Sequence, residues 1–193
     1  MLGLKMATDP RWVNIVEKNI AEILTDHAWC EQKAATNAIT LIVKYPHLTE
    51  LVDAMIELSN EEMDHFRQVH DIIKSRGLVL GPERKDPYVN DLLTHIRRGG
   101  SPTENLVDRL LFAAMIEARS CERFKILSEN FKDPELKEFY RVLMESEAGH
   151  YTTFISFARK YGEGVDVDDR WEKFLAFEAI LMSKYGKQET IHG

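Results

Sequence analysis

Two Glu-x-x-His pairs, each preceded by a lone glutamate, are the residues of this sequence best suited to hold metal ions. Residues three apart project from one side of a helix about one turn apart, so both members of a pair can reach one ion. The interval from lone glutamate to pair is nearly the same in both halves, 31 residues from Glu31 to Glu62 and 30 from Glu117 to Glu147. Together the halves supply four carboxylates and two imidazoles: Glu31, Glu62, His65, Glu117, Glu147 and His150.

These carboxylates interrupt stripes that are otherwise apolar. Glu31 lies between Ala28 and Ala35, and Glu117 lies between Ala114 and Cys121. Burying four glutamates without a partner is very costly, which argues against a helical protein with stray buried acids. Four carboxylates and two histidines are the ligand set of di-iron and di-manganese carboxylate proteins. The residues leave open whether the metal is iron or manganese and which carboxylates bridge the two ions.

Proline, glycine and capping residues divide the chain into helices that would position these ligands. The apolar spacing is helical in the four central segments and predicts little strand. We predict helices, by residue number, at about 10–24, 25–45, 49–76, 88–98, 102–130, 134–161 and 168–185. Four long helices, two tight turns and one long crossover predict an all-α, ferritin-like antiparallel four-helix bundle with additional flanking N- and C-terminal helices.

Length and composition agree with one domain over residues 1–193. The chain is 44% hydrophobic and 30% charged, a composition that excludes wholesale disorder. Its formal net charge of -7 argues against a broad surface that coats nucleic acid. Its two cysteines, Cys30 and Cys121, exclude a disulfide framework and a four-cysteine metal site, and we expect both to be small buried residues. No segment reads as a signal peptide or a membrane span, so a cytoplasmic location and no membrane partner are expected.

Four strings carry a family resemblance that runs from about residue 26 to residue 161. They are Cys30–Ala35, Glu62–His65, Ile116–Phe124 and Ser146–Tyr151. These strings closely resemble the tRNA hydroxylase family that acts on 2-methylthio-N6-isopentenyladenosine. The Ile116–Phe124 string is the most specific, because metal binding does not demand its non-ligand residues.

The resemblance implies a di-iron monooxygenase whose metal ligands are the six residues above. It implies hydroxylation of the isopentenyl side chain of a modified adenosine next to the tRNA anticodon, with O2 as co-substrate and two electrons from an external donor. The implied cofactors are therefore two iron ions, and the implied partners are a tRNA anticodon stem-loop that carries a prenylated adenosine and an electron-transfer reductase.

Other candidate residues have weaker patterns. Glu189 and His192 repeat the Glu-x-x-His spacing, but they follow Gly186 in a polar tail where no partner helix is expected. Four histidines have no matching acid on their helix faces and are predicted as surface residues or as supports for the ligands: His27, His47, His70 and His95. Local contacts to phosphate could come from basic residues near the crossover: Arg97, Arg98, Lys74, Arg76, Arg84 and Lys85.

Two other functional classes are compatible with parts of this pattern. A ferritin-like iron-storage or peroxide-scavenging protein would use the same ligands, and a non-catalytic RNA-binding protein or scaffold would not need them. Rapid peroxide consumption or iron loading without tRNA would favour the first class. Function that persists after replacement of Glu117 by alanine would favour the second.

Overall fold

Helices make up the regular structure of this chain. The computed structural model describes residues 2–185 and 190–192, and none of these lies in a β-strand. A 3-10 turn, Pro10–Trp12, precedes seven α-helices: α1 Val13–Val16, α2 Ile20–Lys44, α3 Thr49–Ser75, α4 Pro87–Leu93, α5 Pro102–Asn130, α6 Pro134–Tyr161 and α7 Val167–Met182.

The described chain divides into two compact units. One contains residues 16–85 with residues 190 and 191, and the other contains residues 2–15, 86–185 and 192. The single domain over residues 1–193 stays a prediction. No helix among the described residues has both the length and the apolar character that crossing a membrane requires.

The first unit is a helical hairpin in which α2 packs against α3. The apolar residues that recur at helical spacing along α3 predict a buried stripe. Phe66 on this stripe is half-buried, and the others are buried: Leu51, Met55, Leu58, Val69 and Ile73. Helix α3 ends where it was predicted to end. Gly77 adopts a φ of 67°, and the N–H of Leu78 bonds back to the carbonyl of Ile73, which is the pattern of a glycine-terminated helix.

The predicted boundary between the first two helices is wrong. The chain leaves the helical conformation before Asn19, and α2 then runs without a break through Thr25 and Asp26, where the sequence predicts the start of a new helix. The side chains of both residues bind backbone N–H groups that are distant in sequence. Thr25 Oγ1 accepts from Gly81, and Asp26 Oδ2 accepts from Ile191. Neither side chain is therefore engaged in starting a helix.

The second unit is built around α5, which packs along α6 and also contacts α7. Both long helices begin where predicted. Ser101 and Glu104 form a capping box ahead of α5, and Asp133 caps α6 just before Pro134. Apolar residues of α5 are buried around most of its circumference, including Leu110, which makes this helix the core of the unit.

One detail of the second unit differs from the prediction. Helix α4 ends at Leu93 rather than near Arg98. The N–H groups that follow it, beginning with Thr94, bond to carbonyls three residues back, and the N–H of Arg97 donates to the carboxylate of Asp108 at 2.7 Å.

Gly162 directly follows the last residue of α6, at a point where the backbone of Ala158 lies close by. A Cβ atom there would lie 2.6 Å from the carbonyl oxygen of Ala158, so the turn into α7 requires glycine.

Candidate metal centre

Three predicted ligands come together in the α2–α3 unit. Glu31 extends from α2, Glu62 and His65 extend from α3, and all three side chains are buried. The Nδ1 atom of His65 lies 3.4 Å from Oε2 of Glu62 and 3.8 Å from Oε2 of Glu31. One ligand atom from each residue lies within 4.8 Å of the others. Two carboxylates and one imidazole at these distances can hold one divalent ion.

Mutual hydrogen bonding sets the charge of this group. Burial lowers the pKa of His65, but the hydrogen bonds and charges of Glu31 and Glu62 outweigh that effect and raise it to about 10. Burial raises the pKa of Glu31, but its contacts with His27, His65 and Glu62 outweigh that effect and hold it well below the ordinary value. Without metal, His65 is thus a cation among carboxylates, and metal binding displaces its proton.

His27 supports this group directly, so the prediction that it lacks an acid partner is wrong. Its Nε2–H donates to Oε1 of Glu31 at 2.5 Å, and the imidazole is fully buried. The two residues are four apart on α2, where side chains are neighbours on one helix face. The sequence therefore contains the signal for this contact in the four-residue spacing of His27 and Glu31.

The other three predicted ligands come together in the second unit. Glu117 extends from α5, Glu147 and His150 extend from α6, and all three side chains are buried. One ligand atom from each residue lies within 4.8 Å of the others. Each unit therefore presents the set that the spacing predicted, with one lone glutamate and one Glu-x-x-His pair.

Cys121 lies one helical turn after Glu117 but is not suited to bind metal. Burial and the charge of Glu117 raise the pKa of its thiol to about 11, so the sulfur stays protonated at neutral pH. Its Sγ–H donates to the backbone carbonyl of Met144 at 3.2 Å, which joins α5 to α6. Cys121 is buried as expected, whereas Cys30 is only half-buried.

The side of α5 away from Glu117 holds a second buried polar group that the sequence did not reveal as such. Arg119 donates hydrogen bonds to Glu178 on α7, to Glu122 and to the backbone carbonyl of Met6. Glu122 also accepts from the N–H and the hydroxyl of Thr8. Arg119 and Glu122 belong to the Ile116–Phe124 string, and these contacts explain their presence there: they attach the N-terminal segment and α7 to the ligand-bearing helix.

The interpretation of His192 as part of a polar tail is wrong. The residue is 3% exposed, its Nδ1 lies 2.9 Å from Oδ2 of Asp86, and its Nε2 lies 3.1 Å from the hydroxyl of Ser120 on α5. Its ring stacks on that of Tyr88. Glu189, which shares the Glu-x-x-His spacing with His192, lies outside the described residues. His192 is thus a buried contact of α5.

The other three histidines, His47, His70 and His95, make no hydrogen bond, ion pair or ring contact with the predicted ligands among the described residues. His47 is exposed, His70 stacks on the ring of Phe66, and His95 packs between Phe177 and Phe174. Burial lowers the pKa of His95, and the charge of Arg170 adds to this. His47 and His95 therefore have surface or packing roles.

Three of the basic residues that are candidates for phosphate contact are paired with acids. Arg97 pairs with Glu104 and Asp108, Lys74 pairs with Asp71, and Arg84 pairs with Glu22. Arg76 is half-buried. The other two are exposed: Arg98 and Lys85.

Comparison with known proteins identifies relatives along the whole chain. The family model described as tRNA-(MS[2]IO[6]A)-hydroxylase (MiaE) matches residues 2–193. A Pseudomonas putida protein named tRNA 2-(methylsulfanyl)-N(6)-isopentenyladenosine(37) hydroxylase is 36% identical over 185 residues, which cover 96% of this chain and 89% of that protein. A Salmonella typhimurium protein of the same name is 28% identical over an alignment of 222 residues, covering 91% of this chain and 81% of that protein.

A solved structure with the same fold is also known. It is titled "Protein 43 with aldehyde deformylating oxygenase activity from Synechococcus", and it matches with a TM-score of 0.89 at 33% identity, covering 98% of this chain and 95% of that chain. This likeness, with the helices described above, confirms the predicted all-α, ferritin-like fold class. Since the family model matches residues 2–193 and a relative shares 36% identity, the chain belongs to the tRNA-(MS[2]IO[6]A)-hydroxylase (MiaE) family.

Proposed function

We propose that this protein is an O2-dependent di-iron monooxygenase that hydroxylates the isopentenyl side chain of a 2-methylthio-N6-isopentenyladenosine next to the tRNA anticodon. The observation that carries the proposal is the presence, in a chain of this family, of two buried sets that each contain two glutamates and one histidine. The proposed tRNA substrate rests on family membership alone. The ligand sets favour the use of metal and oxygen.

The donor chemistry fits iron. Each set offers carboxylate oxygens and an imidazole nitrogen, a combination that suits ferrous and ferric ions, and neither contains a thiolate. We propose that the two sets form one dinuclear centre with these ligands: Glu31, Glu62, His65, Glu117, Glu147 and His150. Four carboxylates would balance the charge of two divalent ions, which explains why a protein core tolerates so many acids.

The proposed reaction converts a C–H bond of the prenyl group into C–OH. One oxygen atom of O2 enters the product, the other leaves as water, and two electrons and two protons complete the balance. When bound, the two irons supply the activation of O2 that this insertion requires. The electrons come from an external donor, which we propose to be an electron-transfer reductase.

The chain's own residues supply ligands, charge and shielding from water. The glutamates and histidines lie on long helices, and a site on helices is held more precisely than one on loops. Glu117 is buried, and so are Ala114 and Ala118 near it on α5, which agrees with a site closed to solvent. The protonated thiol of Cys121 stays bound to Met144 and leaves the metal to oxygen and nitrogen ligands.

The proposed macromolecular partner is a tRNA anticodon stem-loop. Bases in single-stranded loops can be turned outward, so a prenyl group could enter a protein site while the phosphates stay outside. Arg98 and Lys85 are exposed basic residues and remain candidates for phosphate contact. A cytoplasmic location agrees with such a substrate and stays a prediction.

The decisive experiment combines metal analysis with nucleoside analysis. The protein is loaded with ferrous iron without oxygen and is then supplied with 18O2, a reductant and tRNA that carries the prenylated adenosine. We expect about two irons per chain, from the ligand count, and one 18O atom on the modified adenosine. tRNA without the prenyl group serves as the substrate control and should stay unchanged.

A pair of variants on one helix tests the site. Glu117→Ala is expected to lose iron and hydroxylation, whereas Glu129→Ala, at an exposed position of α5, should keep both. Iron binding with no change in the nucleoside would contradict the hydroxylase and favour storage or peroxide chemistry. Full hydroxylation by Glu117→Ala would contradict the metal site.

A further inference from the structure

We propose that His27 is a positioning residue that fixes Glu31 as a one-oxygen ligand, and that Glu117, its counterpart in the other half, has no such support. The two metal positions would then be inequivalent. This inference rests on the proposed function, because it concerns the same metal centre. The ligand spacing alone does not determine how the two lone glutamates, Glu31 and Glu117, would bind a metal ion.

The two carboxylate oxygens of Glu31 face different partners. Oε1 accepts the hydrogen bond from Nε2 of His27 at 2.5 Å, while Oε2 lies 3.8 Å from Nδ1 of His65. Oε2 is therefore the oxygen that faces His65, another ligand of its set. A metal ion held by that set would bind Glu31 through Oε2, and Oε1 would stay with His27.

The position of His27 stabilises its hydrogen bond with Glu31. The imidazole is fully buried, so water does not compete for its N–H. His27 and Glu31 lie one turn apart within the uninterrupted helix α2, which fixes the distance between their backbones. Groups that hydrogen-bond a metal ligand orient it and tune its affinity for the metal.

The second half of the ligand pattern lacks this arrangement. The residue four positions before Glu117 is Ala113, which is buried and has no polar atom in its side chain. Within residues 2–185 and 190–192, no side-chain hydrogen bond to the carboxylate of Glu117 is recorded, and the nearby Cys121 donates to Met144. The orientation of Glu117 is therefore set by metal and packing, whereas that of Glu31 is set by His27.

The test compares two replacements of His27 in the full-length chain. His27→Leu keeps an apolar side chain of similar volume and removes the donor, whereas His27→Gln keeps an N–H donor. The control is His70→Leu, which removes a half-buried imidazole from α3 that stacks on Phe66. Each protein is titrated with ferrous iron without oxygen, and its 57Fe Mössbauer spectrum is recorded at full loading.

We expect two distinct iron signals of equal area in the unaltered protein. In His27→Leu, one of the two irons should bind about 10- to 100-fold more weakly, as found when partners of metal ligands are removed, and one signal should change. His27→Gln and His70→Leu should keep both irons near the original affinity. Thermal melts of the iron-loaded proteins verify folding, and should His27→Leu not fold, weak iron binding by folded His27→Gln overturns the proposal.

The outcomes separate this inference from the proposed function. An unaltered protein that binds no iron contradicts the proposed function itself. If the protein binds two irons but His27→Leu binds both with the original affinity, the role of His27 is wrong while the di-iron centre stands. Two identical iron signals in the unaltered protein would likewise refute the asymmetry alone.

Discussion

Arg119 on α5 donates two hydrogen bonds to one oxygen of Glu178 on α7, from Nε at 2.8 Å and from Nη2 at 2.6 Å. Both side chains are fully buried, and Tyr88 donates a third hydrogen bond to the same oxygen. The helix that carries Glu117 is thereby joined to α7 by a buried ion pair. Removing one partner of such a pair leaves the other charge without compensation in the core.

Replacing Arg119 with methionine should therefore destabilise the protein strongly. Methionine fills part of the volume but leaves Glu178 and Glu122 without their cation, and we expect a loss of about 3–5 kcal/mol in the free energy of unfolding. Chemical denaturation measures this loss. Arg141→Met is the matched control, because Arg141 pairs with Glu138 and Glu145 at the protein surface and should matter little. Equal effects of both replacements would contradict the structural role of the buried pair.

His192 should also contribute to stability, although it lies one residue from the end of the chain. His192→Ala removes the contacts with Asp86 and Ser120 and leaves a gap beside the ring of Tyr88. We expect a loss of about 1–3 kcal/mol, the usual range for buried polar contacts. His47→Ala, at an exposed position, should leave the melting temperature unchanged. A His192→Ala protein as stable as the original would show that these contacts contribute nothing.

Asp108 gives a pH-dependent prediction. It accepts hydrogen bonds from Arg97 and Arg170, and its carboxylate is fully buried. Burial raises the pKa of Asp108, but the two arginines outweigh that effect and lower it below the ordinary value. The unfolded chain therefore takes up the proton first as the pH falls. The stabilisation is complete above the unfolded pKa of about 3.9 and disappears as the pH falls through the lower pKa of the folded state.

Asp108→Asn tests this linkage. The free energies of unfolding of the two proteins should differ by the same amount at pH 7 and at pH 5. This difference should become smaller below about pH 4, where Asp108 becomes protonated in the unfolded state. Asp53→Asn, at an exposed position of α3, should show no such change. A difference that stays constant from neutral pH to pH 3 would contradict the lowered pKa of Asp108.

Much of the ligand geometry could be predicted because it depends on local rules. The starts of α5 and α6 follow from Ser-Pro and Asp-Pro pairs, and the end of α3 follows from Gly77, since caps and glycine act within a few residues. The Glu-x-x-His pairs needed only helical periodicity to place both members on one side. The contact of His27 with Glu31 obeys the same periodicity and was available in the sequence.

Long-range contacts account for what the sequence could not supply. The sequence predicts a helix start at Thr25 or Asp26, whereas the side chains of both residues bind backbone groups far along the chain, at Gly81 and Ile191. His192 was assigned to a polar tail because its partners are distant in sequence, as Ser120 illustrates. No local pattern encodes such pairings, which exist only after the chain has folded.

Removal of iron should lower the stability of this protein. The proposed metal would bind the folded ligand sets and not the unfolded chain, and without it the clustered carboxylates would repel each other. An ion present at about 100 times its dissociation constant adds about 2.7 kcal/mol, which corresponds to a shift of roughly 5–11 °C for a chain of this size. Scanning calorimetry with and without a chelator at neutral pH measures the shift. The melting temperature of Glu117→Ala should shift less on chelation. If the chelator leaves the melting temperature of the unaltered protein unchanged, that result argues against the metal centre.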